Sequence, residues 1–165
     1  MNSPKVVVVD YGVGNLRSVR CAVERCGGEV IISSEAEVIA KADQVILPGV
    51  GAFTKGMKAL HALGLVNVLR ESAADGIPIL GICLGMQLLF DESEEHGISK
   101  GLGIIPGRVI AVPTFDVQGE RIKVPHIGWN SLVAGGSSSW SGTILESYSP
   151  KESVYFIHSY MAVPS

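Results

Sequence analysis

Cysteine is scarce in this sequence: Cys21, Cys26 and Cys83 are the only three in 165 residues. A small odd number excludes a disulfide scaffold. Cys21 and Cys26 fall in one helical pattern, where a five-residue separation holds the Cα atoms roughly 8–9 Å apart, beyond the ~7 Å that a disulfide spans. That usage fits a reducing cytoplasm. Charge is sparse too. Charged residues are 18% of the chain and the net charge is −3, so the basic surplus of a general nucleic-acid binder is missing. No run approaches the ~18 apolar residues of a membrane span, and the few residues before Val6 are too short for a signal peptide. Neither Cys-x-x-Cys nor His-x-x-x-His occurs, so no metal is expected. No repeat, linker or low-complexity run divides the chain. What is present is apolar: 47% hydrophobic residues, too many for a disordered chain. The length suits one domain over 1–165 with a sizeable core.

Apolar runs of strand length alternate with helical patterns. Strands are expected at 5–10, 29–33, 44–47 and 77–82. Leu16, Val19, Ala22, Val23 and Cys26 recur at helical spacing, and Gly27-Gly28 ends that helix. Ser34-x-x-Glu37 has the form of a capping box. Residues 55–74 form a helix broken near Gly64, and 135–139 is a loop. Continuous apolar strands between helices imply a mostly parallel sheet with helices on both faces, an α/β fold. After Gly101 short strand-like runs follow at 104–112, 121–125 and 154–163, and these predict an antiparallel C-terminal extension of that sheet.

The strongest chemical signal is Gly81-Ile82-Cys83-Leu84-Gly85-Met86-Gln87, where a buried strand enters Gly-x-Cys-x-Gly and then a helix running to Phe90. This is the cysteine form of a nucleophile elbow. The sharp turn lifts Cys83 clear of the sheet, and Gly81 and Gly85 let neighbouring chains crowd around it. A helix N-terminus favours the thiolate, and the Leu84 N–H can stabilise an oxyanion. A lone cysteine at such a turn is usually a small core residue. The flanking glycines, the strand before and the helix after favour the nucleophile here.

Leu47-Pro48-Gly49-Val50-Gly51-Ala52-Phe53 follows a strand. In a parallel sheet it joins the elbow at the C-terminal edge, where ligands bind, and it offers a second oxyanion N–H from Val50. Asp10-Tyr11-Gly12-Val13-Gly14-Asn15 invites a dinucleotide reading, but Arg17 stands where the third glycine belongs. Nucleotide binding is rejected, no cofactor is expected, and Asn15 reads as a helix N-cap. A thiol hydrolase needs a histidine within about 2.6–3.2 Å of its sulfur. His61, His96, His126 and His158 are available, and no histidine–carboxylate pair at useful strand spacing lies near His158. Strand alternation places Tyr155, Ile157 and Ser159 on one face and Phe156, His158 and Tyr160 on the other.

Together these stretches resemble the class I (triad) glutamine amidotransferases. Tyr11-Gly12-Val13-Gly14-Asn15, Ser93-Glu94-Glu95, Pro125-His126-Ile127-Gly128-Trp129-Asn130 and Phe156-Ile157-His158-Ser159-Tyr160 narrow the resemblance to the glutaminase subunits of imidazole glycerol phosphate synthase, of histidine biosynthesis. The resemblance implies a flavodoxin-like fold, a cytoplasmic heterodimer with a (β/α)₈ cyclase subunit, and glutamine as substrate. It implies Cys83 as nucleophile and Val50 and Leu84 as the oxyanion hole. Glutamine contacts would come from Gly49, Gly51, Gly85, Gln87, Glu95, His158, Ser159 and Tyr160. Gly12, Asn15, His126, Gly128, Trp129 and Asn130 would face the cyclase. A peptide flip at 49–51 would gate turnover by the partner's substrate.

One departure bears on activity. The family draws its catalytic histidine and glutamate from His-Pro-Glu-Lys-Ser, and no His-Pro-Glu occurs here. His158 matches a substrate-side motif, so it is not the triad base. The triad histidine and glutamate are absent from this chain, which is expected to be a C-terminally incomplete and inactive fragment with part of one sheet face uncovered. Two alternatives stand beside this reading. One is another triad amidotransferase subunit, of anthranilate or pyridoxal phosphate synthesis; the other is a non-catalytic module that holds the cyclase. A redox or chaperone protein of flavodoxin-like fold gives Gln87 and residues 49–51 no purpose.

Overall fold

The computed structural model describes residues 3–135, 139–149 and 151–165; residues 136–138 of the expected loop lie outside them. The described residues form two compact units. One holds the residues up to Ala111 with Met161–Ser165, and the other is Val112–Tyr160.

In the first unit, β1 (Lys5–Val9), β2 (Glu29–Ser33), β3 (Gln44–Gly49) and β4 (Ile79–Cys83) make a parallel sheet in the order β2-β1-β3-β4. Pleating divides its valines between two faces. Val6, Val8 and Ile46 pack under α1 (Leu16–Arg25) through Leu16, Val19 and Val23. Asn15 caps this helix as its spacing suggested, accepting the Ser18 N–H at 3.2 Å. Val7, Val9, Val45 and Leu47 are buried on the opposite face. That side carries α2 (Ala36–Ile39), α3 (Phe53–Ala62), α4 (Leu65–Ala74) and α5 (Leu84–Leu88). Each such fully buried Val or Leu is worth about 1.5–3 kcal/mol. The expected α/β arrangement with a parallel sheet is therefore present.

Several details differ. The capping box does not form: Ser33, not Ser34, takes the Glu35 N–H, and α2 starts at Ala36 behind Glu35. Glu37 then lies too early in the helix to reach back. The long helix is two helices, divided at Leu63 and Gly64. β4 is an edge strand rather than a buried one, with Leu80 44% and Ile82 38% exposed. Both side chains line an apolar groove together with Val19 and Val23 of α1 and Ile46 of β3.

α5 stops at Leu88 and does not run to Phe90. The carbonyls of Leu88 to Asp91 are taken by backbone N–H groups of residues 101–105. That pairing draws the chain into β5 (Phe90–Ser93), beside β6 (Ser99–Lys100) and β7 (Ile105–Ala111). With β10 (Tyr160–Pro164) these form a second sheet, β10-β7-β5-β6, in which β5 and β7 run parallel. The later strands thus build their own sheet and do not extend the first. The 121–125 run is not a strand; it contributes one bridge, Phe115 to Arg121. In the second unit β8 (His126–Asn130) and β9 (Val154–His158) pair antiparallel.

Candidate active site

Cys83 ends β4 and precedes α5 with φ 53° and ψ −116°. A non-glycine residue reaches that region only when its surroundings enforce it, at a cost of about 1–3 kcal/mol. The enforcing contacts are close. A Cβ at Gly85 would collide with the Leu47 carbonyl, and one at Gly81 would meet the Met86 backbone, 2.6 Å from its nitrogen. The elbow is therefore wedged against β3 on one side and its own helix on the other. Cys83 itself is exposed, so it is not the buried core cysteine that such a turn would otherwise hold. Leu84 follows, buried, as the first residue of α5, and Gln87 lies one turn further, half-buried. With only five residues, α5 supplies a smaller dipole than the longer helix expected from the sequence.

β3 and β4 pair in register, Leu47 with Gly81 and Gly49 with Cys83. The chain from Gly49 to Phe53 thus leaves the sheet next to the thiol. Val50 is 57% exposed, and Gly51 has φ +101°. The Phe53 N–H, at the start of α3, donates to Glu95 Oε2 at 2.7 Å. Glu95 is placed in turn by its own N–H, which donates to the buried Ser93 Oγ at 3.1 Å. Gly49, Val50, Gly51, Cys83, Leu84, Gly85, Gln87 and Glu95 accordingly all lie in the first unit, as do Gly12 and Asn15.

Sequence reasoning passed over Tyr11. It is 2% exposed, and its hydroxyl donates to the Pro48 carbonyl at 2.7 Å. Burial, and secondarily the charge of Cys83, push its pKa above the ordinary tyrosine range. The signal was available, because Tyr11 lies two residues beyond the end of β1, at the same C-terminal edge of the sheet.

His126, Gly128, Trp129, Asn130, His158, Ser159 and Tyr160 belong to the second unit. His126 pairs with His158 across β8 and β9. His158 Nδ1 donates to the Tyr160 carbonyl at 2.9 Å, since a carbonyl only accepts. His158 Nε2 then accepts from His126 Nδ1 at 3.1 Å, and His126 Nε2 accepts from Asn130 Nδ2 at 2.8 Å. Both ring nitrogens of His158 are engaged inside this unit. The opposite face of the ribbon is exposed and apolar, with Ile127, Trp129, Tyr155 and Ile157. Among the described residues no group of three potential ligands could hold a metal ion, and no helix is long and apolar enough to cross a membrane.

The family described as "Glutamine amidotransferase class-I" matches residues 7–165. "Imidazole glycerol phosphate synthase subunit HisH 1" of Legionella pneumophila (strain Lens) is 47% identical over 161 residues, which are 97% of this chain and 76% of that protein. The HisH subunit of Geobacillus thermodenitrificans is 49% identical over 95% of this chain and 71% of its own length. That of Aquifex aeolicus is 49% identical over 97% and 73%. A crystal structure described as a glutamine amidotransferase superposes with TM-score 0.56 at 24% identity, over 64% of this chain and 56% of that one. PurLQS from Thermotoga maritima gives TM-score 0.56 at 20% identity, over 99% and 71%. Both structures share the fold.

Proposed function

The chain belongs to the class I glutamine amidotransferase family, and from that premise we propose its place within it: the glutaminase subunit of an imidazole glycerol phosphate synthase. The observation that carries the proposal is the 47–49% identity to HisH subunits over 95–97% of the chain. Such a likeness extends through both units and is not confined to the cysteine elbow.

In this reading glutamine lies at the C-terminal edge of the parallel sheet. The Cys83 thiolate adds to the side-chain carboxamide carbon, and the oxygen of the tetrahedral adduct accepts from the backbone N–H groups of Leu84 and Val50. The carboxamide nitrogen takes a proton and leaves as ammonia. Water then adds to the glutamyl thioester, releasing glutamate and the thiol. Gly49, Gly51, Gly85, Gln87 and Glu95 hold the amino acid. No residue of this chain is assigned as the triad base or its carboxylate.

Ammonia passes to a cyclase subunit, which makes imidazole glycerol phosphate and an aminoimidazole carboxamide ribotide for histidine biosynthesis in the cytoplasm. Gly12, Asn15, His126, Gly128, Trp129 and Asn130 face that partner. The exposed apolar side chains of β8 and β9 suit the centre of such an interface.

The test is 6-diazo-5-oxo-L-norleucine, an electrophilic glutamine analogue, with mass spectrometry of the peptides. The expected result is one adduct at Cys83, suppressed by glutamine, and co-elution of the chain with an imidazole glycerol phosphate synthase cyclase subunit. Labelling spread over Cys21 and Cys26, with no co-elution, overturns the proposal. Co-elution without labelling favours the non-catalytic module.

A further inference from the structure

We propose that Tyr11 is a positioning residue for the oxyanion loop: its buried hydroxyl holds the Pro48 carbonyl and thereby sets where the Gly49–Val50 peptide stands beside Cys83. The inference rests on the glutaminase reading of Cys83 and Val50 given above.

Three observations support it. First, the bond is well made and non-local. Tyr11 leaves β1, Pro48 lies near the end of the adjacent β3, and 2.7 Å separates donor from acceptor in a buried setting. The Pro48 carbonyl belongs to the planar Pro48–Gly49 peptide. Holding its oxygen fixes that plane and the direction in which Gly49 continues.

Second, Gly49 is fitted around the same hydroxyl. A Cβ there would collide with the Tyr11 oxygen and would lie 3.0 Å from both the Gly85 nitrogen and the Leu84 Cβ. Tyr11 and the elbow therefore press on Gly49 from two sides. Gly14, on the loop that carries Tyr11, also packs against Pro48, less tightly: its would-be Cβ lies 3.3 Å from Pro48 Cβ.

Third, the loop is held at its other end by a separate bond, from the Phe53 N–H to Glu95. Between the anchors, Gly51 has open space around its would-be Cβ and Val50 is exposed. Rotation therefore has room at Val50 and Gly51 and none at Gly49. The loop is built as a short hinge between two pins, and Tyr11 is the pin next to the thiol. Burial, and secondarily the charge of Cys83, raise the pKa of the hydroxyl, so it stays protonated and remains a donor.

The experiment compares the 165-residue chain with Tyr11→Phe, which removes one oxygen. Two alkylating probes are used. The glutamine-analogue chloroketone 2-amino-4-oxo-5-chloropentanoate forms a thioether and releases chloride, passing through a tetrahedral adduct that needs the oxyanion hole. Iodoacetamide reports on the thiol alone. In Tyr11→Phe the maximal inactivation rate with the chloroketone is expected to fall at least tenfold. Its half-saturating concentration and the iodoacetamide rate are expected to stay within twofold of wild type. Hydrogen exchange at Val50 and Gly51 is expected to accelerate at least tenfold, with the β1 and β3 amides unchanged.

Equal slowing with both probes overturns the assignment, as does acceleration of exchange throughout the sheet, because Tyr11 then acts only through the fold. An unchanged chloroketone rate also overturns it. A wild-type chain whose Cys83 prefers the chloroketone no more than chloroacetone overturns the glutaminase reading and this assignment together. Preference in wild type that survives in Tyr11→Phe removes the Tyr11 assignment alone.

Discussion

Gly49 and Cys83 are register partners at the C-terminal ends of two parallel strands, β3 and β4. Parallel neighbours lie about 4.8 Å apart and leave the sheet at the same edge. The loop that follows Gly49 and the elbow that follows Cys83 therefore start side by side without any further device. The approach is sealed by Gly85, whose backbone rests against the Leu47 carbonyl.

Gly85→Ala is expected to be severely destabilising. Its methyl group has to displace the β3 backbone, a shift that reaches well beyond the cost of ordinary overpacking, about 1–3 kcal/mol. Gly51→Ala meets open space and carries only the backbone penalty of its positive φ, on the order of 1 kcal/mol. Urea denaturation of the two variants checks the order. Equal losses would mean that the elbow relaxes freely.

Cys83→Gly tests the stored strain. Glycine takes positive φ without penalty but adds entropy to the unfolded chain, about 0.5–1 kcal/mol, against strain of about 1–3 kcal/mol relieved. The variant is expected to be as stable as wild type or up to about 2 kcal/mol more so, with labelling by diazo-oxo-norleucine lost. A thermal midpoint well below wild type contradicts a strained Cys83.

Alkaline pH is expected to weaken the fold through Tyr11. Its unfolded-state value is 10.0 and folding raises it. The stability it contributes is therefore complete below pH 10. Above pH 10 the unfolded chain binds fewer protons than the folded one, and stability falls by up to about 1.4 kcal/mol per pH unit. Urea midpoints between pH 9 and 11.5 should show that slope in wild type and not in Tyr11→Phe. The same slope in both proteins would assign it to another group.

Glutamine turnover is the fourth expectation. No histidine in the chain precedes Pro-Glu, and His158 has both ring nitrogens committed to His126 and Tyr160. Removing the base of a nucleophile–base pair costs on the order of 10⁶-fold in kcat. These 165 residues, mixed with a cyclase subunit, are expected to yield no imidazole glycerol phosphate from glutamine while an ammonium salt still does. Robust synthesis from glutamine would assign the base to one of the four histidines.

The elbow was legible because its demands are local. Glycine on each side of Cys83, an apolar strand before it and a helix after it are steric requirements written within seven residues. The Asn15 cap was legible for the same reason. The short α5 was not. Leu84, Leu88 and Leu89 keep helical spacing into Phe90, and only backbone N–H groups of residues 101–105 divert the chain into β5. The exposure of Leu80 and Ile82 was equally hidden, since an apolar strand reads alike at the edge and in the centre of a sheet.

From its sequence alone this protein was fixed as an α/β chain with a cysteine elbow, because periodicity and glycine placement act over a few residues. Which groups surround Cys83 was decided only by tertiary structure. Strand order set β1, β3 and β4 side by side, and that order brought Tyr11 to Pro48 and Gly49 to Cys83. Hydrogen bonds spanning 37 residues for Tyr11 and 42 for Glu95 depend on how the chain closes on itself, and no local pattern encodes them.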